Sequence, residues 1–118
     1  MKSLTLTDIL IERRKRQEKY FKNYLRWAKI IKKEAEKSLG KVKVFVFGSI
    51  LRKDEVPRDI DILIISPKLK NSSPEIKSEV RTKIKKKIGL LAPFEIHLLS
   101  PSDYKEWYKN FIKEFVEI

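Results

Sequence analysis

Two aspartates in the segment DIDILIIS (59–66) occupy positions at which they could bind a metal ion. Asp59 and Asp61 open a run that is otherwise almost entirely apolar. Side chains alternate between the two faces of a strand, so both carboxylates would point the same way. Neighbouring carboxylates repel each other, and a divalent cation such as Mg²⁺ would remove that repulsion. A solvent-exposed strand end would also tolerate the pair, so the aspartates alone do not establish a metal site.

The Gly48-Ser49 pair upstream of these aspartates has the residue types of a phosphate-binding turn. A glycine after a strand lets the backbone approach an anion closely. The N–H groups of the following turn and the Ser49 hydroxyl could then donate to phosphate oxygens. Arg52 follows at a distance that could bring its guanidinium onto the same phosphates. A simple strand-ending turn would use similar residues, so this pair is also ambiguous when taken alone.

A third acid, Glu95, lies in the segment FEIHLLS (94–100). If this strand pairs beside 59–66, Glu95 can reach the two aspartates. Three carboxylates on two strands that face a phosphate-binding turn would form a two-metal site for phosphoryl transfer. His97, the one histidine of the sequence, shares the face of Glu95. It could lie at the rim of such a site, although a single strand histidine is more often a structural hydrogen-bonding group.

The elements that would position these residues are predicted from hydrophobic periodicity and from capping signals. Thr5 and Asp8 form a capping-box pattern, and Gly40 is a good helix stop. The predicted elements, in chain order, are helix 5–39 as one helix or two, strand 41–48, strand 59–66, helix 74–88, strand 94–100 and a last helix from 101 to 118. This order predicts an α+β or two-layer α/β fold in which helices flank a short mixed sheet.

Apolar residues at helical spacing predict the buried face of each helix, and the strand 59–66 is apolar enough to be covered on both faces. The predicted helical core positions are Tyr20, Tyr24, Trp27, Ile31, Ala35 and Leu39 in the first helix, Ile76, Val80, Ile84 and Ile88 in the second, and Tyr104, Trp107, Tyr108, Phe111, Ile112 and Phe115 in the last. The basic segment 12–19 interrupts the first of these faces and either projects from the domain or faces a partner.

The composition limits the class of protein. The chain of 118 residues is long enough for one compact domain, and without cysteine it has neither disulfides nor thiolate metal sites. No apolar stretch has the length of a membrane span, and the N-terminal basic residues follow the short apolar run instead of preceding it. We therefore expect a cytoplasmic protein.

The net charge of +12 is concentrated in residues 1–40 and 68–89, which are mostly helical in the prediction. A nucleic-acid or polyphosphate partner is one interpretation. The other is a Lys/Glu/Ile-rich chain with solvated helical faces, and the small number of aromatic residues among the basic ones favours it slightly.

The segment FGSILRKDEVPRDIDILII resembles the signature of the nucleotidyltransferase superfamily related to DNA polymerase β. In that family a Gly-Ser motif lies about ten residues before a D-x-D strand, and a third acid lies on a later strand. The short chain is similar to the minimal members of archaea and bacteria, among them antitoxins. The resemblance covers residues 42–66 and, less closely, the strand 94–100. It implies the polymerase-β-like fold, with an N-terminal helical segment (1–40) and a catalytic core (41–118) in one domain.

The resemblance also implies roles for individual residues. Gly48 and Ser49 would bind the nucleoside triphosphate, with Arg52 beside them. Asp59 and Asp61 would ligate two Mg²⁺ ions, and Glu95 would be the third ligand and would help to activate the attacking hydroxyl. The sequence departs from the family at three positions. Lys53 stands where many minimal members have Gly, Arg58 where many have Ser, and Glu95 where Asp is common.

The predicted reaction is the attack of a hydroxyl on the α-phosphorus of a nucleoside triphosphate, with release of pyrophosphate. ATP is the expected triphosphate. The acceptor could be a protein, an RNA or a small molecule, and the antitoxin members suggest a HEPN-type protein partner. A homodimer is expected from the aromatic residues in 20–35 and 104–115. Two alternatives remain at this point: a module that binds a nucleotide or a partner without turnover, and a basic nucleic-acid-binding protein whose carboxylates are incidental.

Overall fold

A mixed β-sheet with flanking α-helices forms the computed structural model, which describes residues 3–111 and 113–118. The helices are α1 (Leu6–Lys22), α2 (Tyr24–Leu39), α3 (Pro74–Ile88) and α4 (Pro101–Phe111), and the strands are β1 (Lys43–Phe47), β2 (Ile60–Ile65), β3 (Phe94–Leu99) and β4 (Phe115–Glu117). The strand order is β3-β2-β1-β4. Strands β2 and β3 are parallel and the other neighbours are antiparallel, which confirms the predicted α+β class with a mixed sheet.

The N-terminal helical segment consists of two helices that meet at Asn23. The predicted capping box is present, because Asp8 N–H donates to Thr5 Oγ1 at 3.1 Å and Thr5 N–H donates to Asp8 Oδ2 at 3.0 Å. The hydrogen bond from Thr5 N–H lowers the pKa of the Asp8 carboxyl, and the Thr5 side chain adds to this effect. Helix α2 ends at Gly40, whose φ of 69° is a left-handed conformation that glycine adopts without a Cβ penalty.

The basic segment 12–19 lies on the exposed side of α1 and contacts two loops of the sheet. Arg14 donates from Nη1 to the Pro57 carbonyl at 3.1 Å, and its guanidinium lies 4.3 Å from the ring centroid of Phe21. Gln17 donates to the Leu91 carbonyl at 3.3 Å. The segment is therefore bound to the loop that precedes β2 as well as being exposed to solvent.

The main core lies between the sheet and helices α2 and α3. Side chains from alternate positions of the strands point into it, including Val44, Val46, Ile60, Ile62 and Ile64, each fully buried. Each such isoleucine contributes roughly 1.5–3 kcal/mol through burial of apolar surface. The opposite face of the sheet carries a smaller cluster, formed by Phe45, Leu63 and Ile65 with Phe47, Leu99 and Tyr104 packed on it. Strand β2 is thus covered on both faces, as its continuous apolar run predicts.

Helix α3 begins and ends where its capping residues predict. The Ser73 hydroxyl accepts from Ile76 N–H at 3.3 Å, and Gly89 follows the last turn. Val80, Ile84 and Ile88 are buried as predicted. Ile76, in the first turn of α3, is not buried as predicted, and 46% of its surface is exposed.

The predicted last helix is too long. Helix α4 ends at Phe111, and Phe115–Glu117 forms β4, which pairs with β1 from Phe45↔Glu117 to Phe47↔Phe115. The Phe115 ring meets Phe45 edge-on at 5.4 Å, and Ile118 N–H donates to the Val44 carbonyl at 2.9 Å. The unpaired edge of β1 offers backbone hydrogen bonds that outweigh the local helical spacing. The predicted apolar positions Trp107, Tyr108, Phe111 and Ile112 lie outside the described side chains.

Aromatic residues of α1 and α2 pack inward. Tyr20 is buried, and Phe21, Tyr24 and Trp27 lie against the main core. These rings are therefore not the exposed surface on which the homodimer prediction was based, and the homodimer stays a prediction. Within the described ranges, no helix combines the length and apolar character needed to cross a membrane.

Candidate active site

The register of the sheet brings Asp61 and Glu95 side by side. Asp61 lies opposite Phe47 on β1 and opposite Glu95 on β3, so all three point to the face opposite the main core. His97 follows two residues after Glu95 on the same face. Its Nε2 lies 3.5 Å from Asp61 Oδ1 and 3.8 Å from Glu95 Oε1. Two carboxylates and an imidazole therefore meet at the start of two parallel strands.

Gly48 packs directly against the Asp61 carboxylate. Its φ of 87° lies in the left-handed region, and a Cβ at this position would overlap Asp61 Oδ2 and lie 3.3 Å from Cγ. Only glycine satisfies both the conformation and the close approach. The Gly48-Ser49 turn and the metal-ligand candidates, which are separate in the sequence, are thus adjoining parts of one site.

A short 3-10 turn (Ser49–Leu51) continues from Gly48. It is closed by hydrogen bonds from Leu51 N–H to the Gly48 carbonyl at 3.1 Å and from Arg52 N–H to the Ser49 carbonyl at 3.0 Å. Ile50 and Leu51 pack against the main core, which anchors the turn. Ser49 is half-buried and is the first residue of the turn. It follows Gly48, which contacts Asp61, and its hydroxyl was predicted to bind phosphate.

Two predicted residues lie apart from this group. Arg52 forms an ion pair with Glu55 at 2.9 Å within the exposed loop, and this bond raises the pKa of Arg52, which stays charged. Asp59 is exposed and precedes the first residue of β2. Its carboxylate does not belong to the close group of Asp61, Glu95 and His97. The structure therefore brings Gly48, Asp61 and Glu95 together, and Arg52 and Asp59 lie outside this group.

Lys85 of α3 holds the main chain that leads into β3. Its Nζ donates to the Ala92 carbonyl at 2.7 Å and to the Phe94 carbonyl at 2.6 Å, just before Glu95. Burial lowers the pKa of Lys85, and the charge of Asp59 opposes that effect. Lys85 thus binds the carbonyls of the main chain that positions Glu95, a role that no pattern in the sequence indicates.

His97 contributes more to the site than the sequence indicated. Its ring lies 5.4 Å from that of Phe47 and is tilted by 46°, with Nε2 toward the carboxylates. The two-residue spacing from Glu95 was the signal that placed it on this face, but that spacing does not separate a ligand from a structural histidine.

The donor set of this group fits a divalent cation. One ligand atom from each of Asp61, Glu95 and His97 lies within 4.8 Å of the others. Opposite ligands of an octahedral Mg²⁺ ion are about 4.2 Å apart, so small side-chain rotations would bring these atoms into range. Carboxylate oxygens suit Mg²⁺, and an added imidazole also suits Mn²⁺ and other transition metals.

Comparison with known proteins identifies the family of the chain. Residues 28–117 match the family model for the nucleotidyltransferase domain. A crystal structure described as a candidate nucleotidyltransferase aligns with a TM-score of 0.62 at 29% identity and covers 76% of this chain and 95% of its own. A second, from Sulfolobus solfataricus, aligns with a TM-score of 0.58 at 23% identity, covering 91% of this chain and 83% of its own, and shows the fold. No curated protein sequence matches. The chain belongs to the nucleotidyltransferase domain family.

Proposed function

We propose that this protein transfers a nucleoside monophosphate from a magnesium-bound nucleoside triphosphate, ATP in the first instance, to a hydroxyl group. The observation that carries the proposal is the contact of Gly48 with Asp61, with Glu95 in register beside them. A turn suited to phosphate and a pair of carboxylates suited to cations are thus in direct contact. This is the arrangement that phosphoryl transfer needs, because catalysis depends on positioning and on offsetting the charge of the phosphate oxygens.

The residues of the turn and the carboxylates have separate roles in the proposed reaction. Gly48 and Ser49 would bind the triphosphate through backbone N–H groups and the hydroxyl. Asp61 and Glu95, with Asp59 one residue ahead of β2, would hold two Mg²⁺ ions, which would offset the charge on the phosphate oxygens. The Glu95 side chain is 60% exposed, so its carboxylate is open to an arriving acceptor.

The bonds change at the α-phosphorus. The acceptor oxygen forms a bond to this atom while the bond to the bridging oxygen breaks, and pyrophosphate leaves on the opposite side. The hydroxyl proton passes to Glu95, which acts as the general base. Asp61, fixed between Gly48 and His97, keeps its position during the step.

The partners are part of the proposal. A nucleoside triphosphate is the donor, and an RNA or a HEPN-type protein partner is the candidate acceptor, as expected for a minimal nucleotidyltransferase. A second copy of the chain is a further candidate, for which the exposed apolar residues of α1, Ile9, Leu10 and Ile11, provide a surface.

Calorimetric titration with Mg-ATP tests the site. Asp61→Asn preserves the shape of the side chain and removes its charge, so we expect binding to weaken by at least about tenfold, as for loss of one charged ligand. Glu79→Gln, an exposed acid on α3, is the matched control and should bind as the wild type does. A wild-type protein that binds no magnesium-bound nucleoside triphosphate would refute the proposal. Pyrophosphate release with candidate acceptors then tests turnover.

A further inference from the structure

A cavity lies on the same face of the sheet as the carboxylates. It has a volume of about 490 Å³ and lies between the sheet and the start of α4. Its apolar surfaces include Phe45, Ile65 and Tyr104, and its rim carries three lysines, Lys41, Lys43 and Lys105. Among the residues that the structure describes, no acidic one lines it.

The strand register gives the distance between this cavity and the carboxylates. Asp61 is in one row with Phe47 and Glu95, and the next row on this face contains Phe45, Leu63 and His97. Rows on one face are two residues apart, which is about 6.6 Å along the strand. Phe45 of the cavity is therefore one row from Asp61, and Ile65 is two rows from it.

The chemistry of the cavity suits a flat ring attached to phosphates. The rings of Phe45 and Tyr104 are parallel within 5°, with centroids 6.1 Å apart. Nucleobases stack on aromatic side chains, and the lysines supply positive charge for the backbone phosphates of a strand. Neutral apolar ligands would not need the lysines, and simple anions would not need the aromatic surface.

The direction of the proposed reaction indicates which nucleotide would bind here. The attacking and leaving oxygens are in line at the α-phosphorus, so the acceptor arrives from the side opposite to the pyrophosphate. Pyrophosphate would leave toward Gly48 and Ser49, at the end of β1. The cavity lies in the other direction along β1, at Phe45 and Lys43.

We propose that this cavity binds a base of a single-stranded nucleic acid whose terminal hydroxyl is the acceptor. The base stacks against Tyr104 and Phe45, the lysines contact the phosphates, and the end of the strand lies beside Glu95. This assignment rests on the proposed nucleotidyl transfer for its direction, but the binding itself can be measured without a triphosphate.

The test measures fluorescence anisotropy of labelled pentaadenylate RNA with the full chain, in the absence of Mg-ATP. Tyr104→Leu keeps an apolar side chain and removes the ring, so affinity should fall on the order of tenfold, while Tyr104→Phe retains it. Lys43→Gln with Lys105→Gln should reduce the slope of log affinity against log salt by about 1.4, because each phosphate contact contributes about 0.7 for a single strand.

A matched pair of lysines controls for general charge. Lys86→Gln with Lys87→Gln removes the same charge from exposed positions on α3. This variant should keep the wild-type affinity for the RNA that depends on stacking. Its slope of log affinity against log salt should be steeper than that of the Lys43→Gln, Lys105→Gln variant. Equal loss in both double variants, or no effect of Tyr104→Leu, would overturn the assignment.

Two competition experiments separate this site from its alternatives. If Tyr104→Leu weakens Mg-ATP binding by the same factor as RNA binding, the cavity holds the donor base and the acceptor assignment is wrong. If polyglutamate competes as well as unlabelled RNA, the rim binds anions such as an acidic protein segment, which also refutes a base site. Wild-type protein that binds RNA through Tyr104 but binds no Mg-ATP would refute the proposed donor site alone.

Discussion

Substitution of Gly48 by alanine would test the link between the turn and the carboxylates. A left-handed φ costs a non-glycine residue about 1–2 kcal/mol. The new Cβ would also overlap Asp61 Oδ2, and relieving such overpacking costs typically 1–3 kcal/mol. We therefore expect the free energy of unfolding to fall by about 3 kcal/mol, which corresponds to roughly 10 °C in Tm for a chain of this size.

A double-mutant cycle separates the two contributions. In an Asp61→Ala background the overlap with the carboxylate is absent, so Gly48→Ala should cost only the backbone contribution of about 1–2 kcal/mol. The coupling between the two positions is then about 1.5 kcal/mol. Chemical denaturation of the four proteins measures it, and calorimetry with Mn²⁺ or Mg²⁺ should show a loss of metal affinity in Gly48→Ala.

The cycle has a clear negative outcome. If Gly48→Ala is equally destabilising with and without Asp61, the contact between the turn and the carboxylate has no energetic role, and glycine is needed only for its backbone. If Gly48→Ala also leaves metal affinity unchanged, Asp61 does not depend on Gly48 for its position, and the proposed geometry of the site is wrong.

Three further substitutions test other parts of the structure. His97→Ala should lower Mn²⁺ affinity by about tenfold and Mg²⁺ affinity much less, because imidazole is a better ligand for transition metals; equal losses in calorimetry would argue against ligation by His97. Burial lowers the pKa of Lys85 below its usual 10.5, so the unfolded state binds more protons between the two values, and wild-type stability relative to Lys85→Gln should rise as pH increases through that window; a flat difference in denaturation midpoints across alkaline pH would refute this. Tyr20→Phe removes a buried 2.7 Å hydrogen bond to the Ile88 carbonyl and should cost about 1 kcal/mol in urea denaturation, whereas an unchanged midpoint would mean that water replaces the hydroxyl.

The central part of the site was predictable because strand alternation and short motifs act locally. Alternation and the assumed pairing of the strands were enough to bring Glu95 beside Asp61. Asp59 was placed by the same rule, but β2 begins at Ile60, so the alternation of a regular strand does not extend to it. Arg52 is near the turn in sequence, yet its guanidinium forms an ion pair with Glu55, three residues later. Local charge pairing within a loop is not visible in a motif.

Features that depend on distant contacts were not predictable. The spacing of aromatic residues after Pro101 indicates a helix, and only the open edge of β1 makes a strand of Phe115–Glu117. The two carbonyls bound by Lys85 become neighbours only after α3 packs on the sheet. The prediction of one domain over 1–118, with its division at residue 40, remains a prediction.

The hydrogen bond from Arg14 to the Pro57 carbonyl connects the loop before β2 to a part of the chain that the family match does not include. Arg14 and Gln17 precede residue 28, where the match begins. A chain shortened to the matched region would keep Asp59, Asp61, Glu95 and the Gly48-Ser49 turn, yet it would lose the hydrogen bond to the Pro57 carbonyl, two residues ahead of Asp59. Helix α1 therefore contributes to holding the loop that precedes β2 in position. A ligand or protein that displaced it would change the loop between the turn and the carboxylates without touching either.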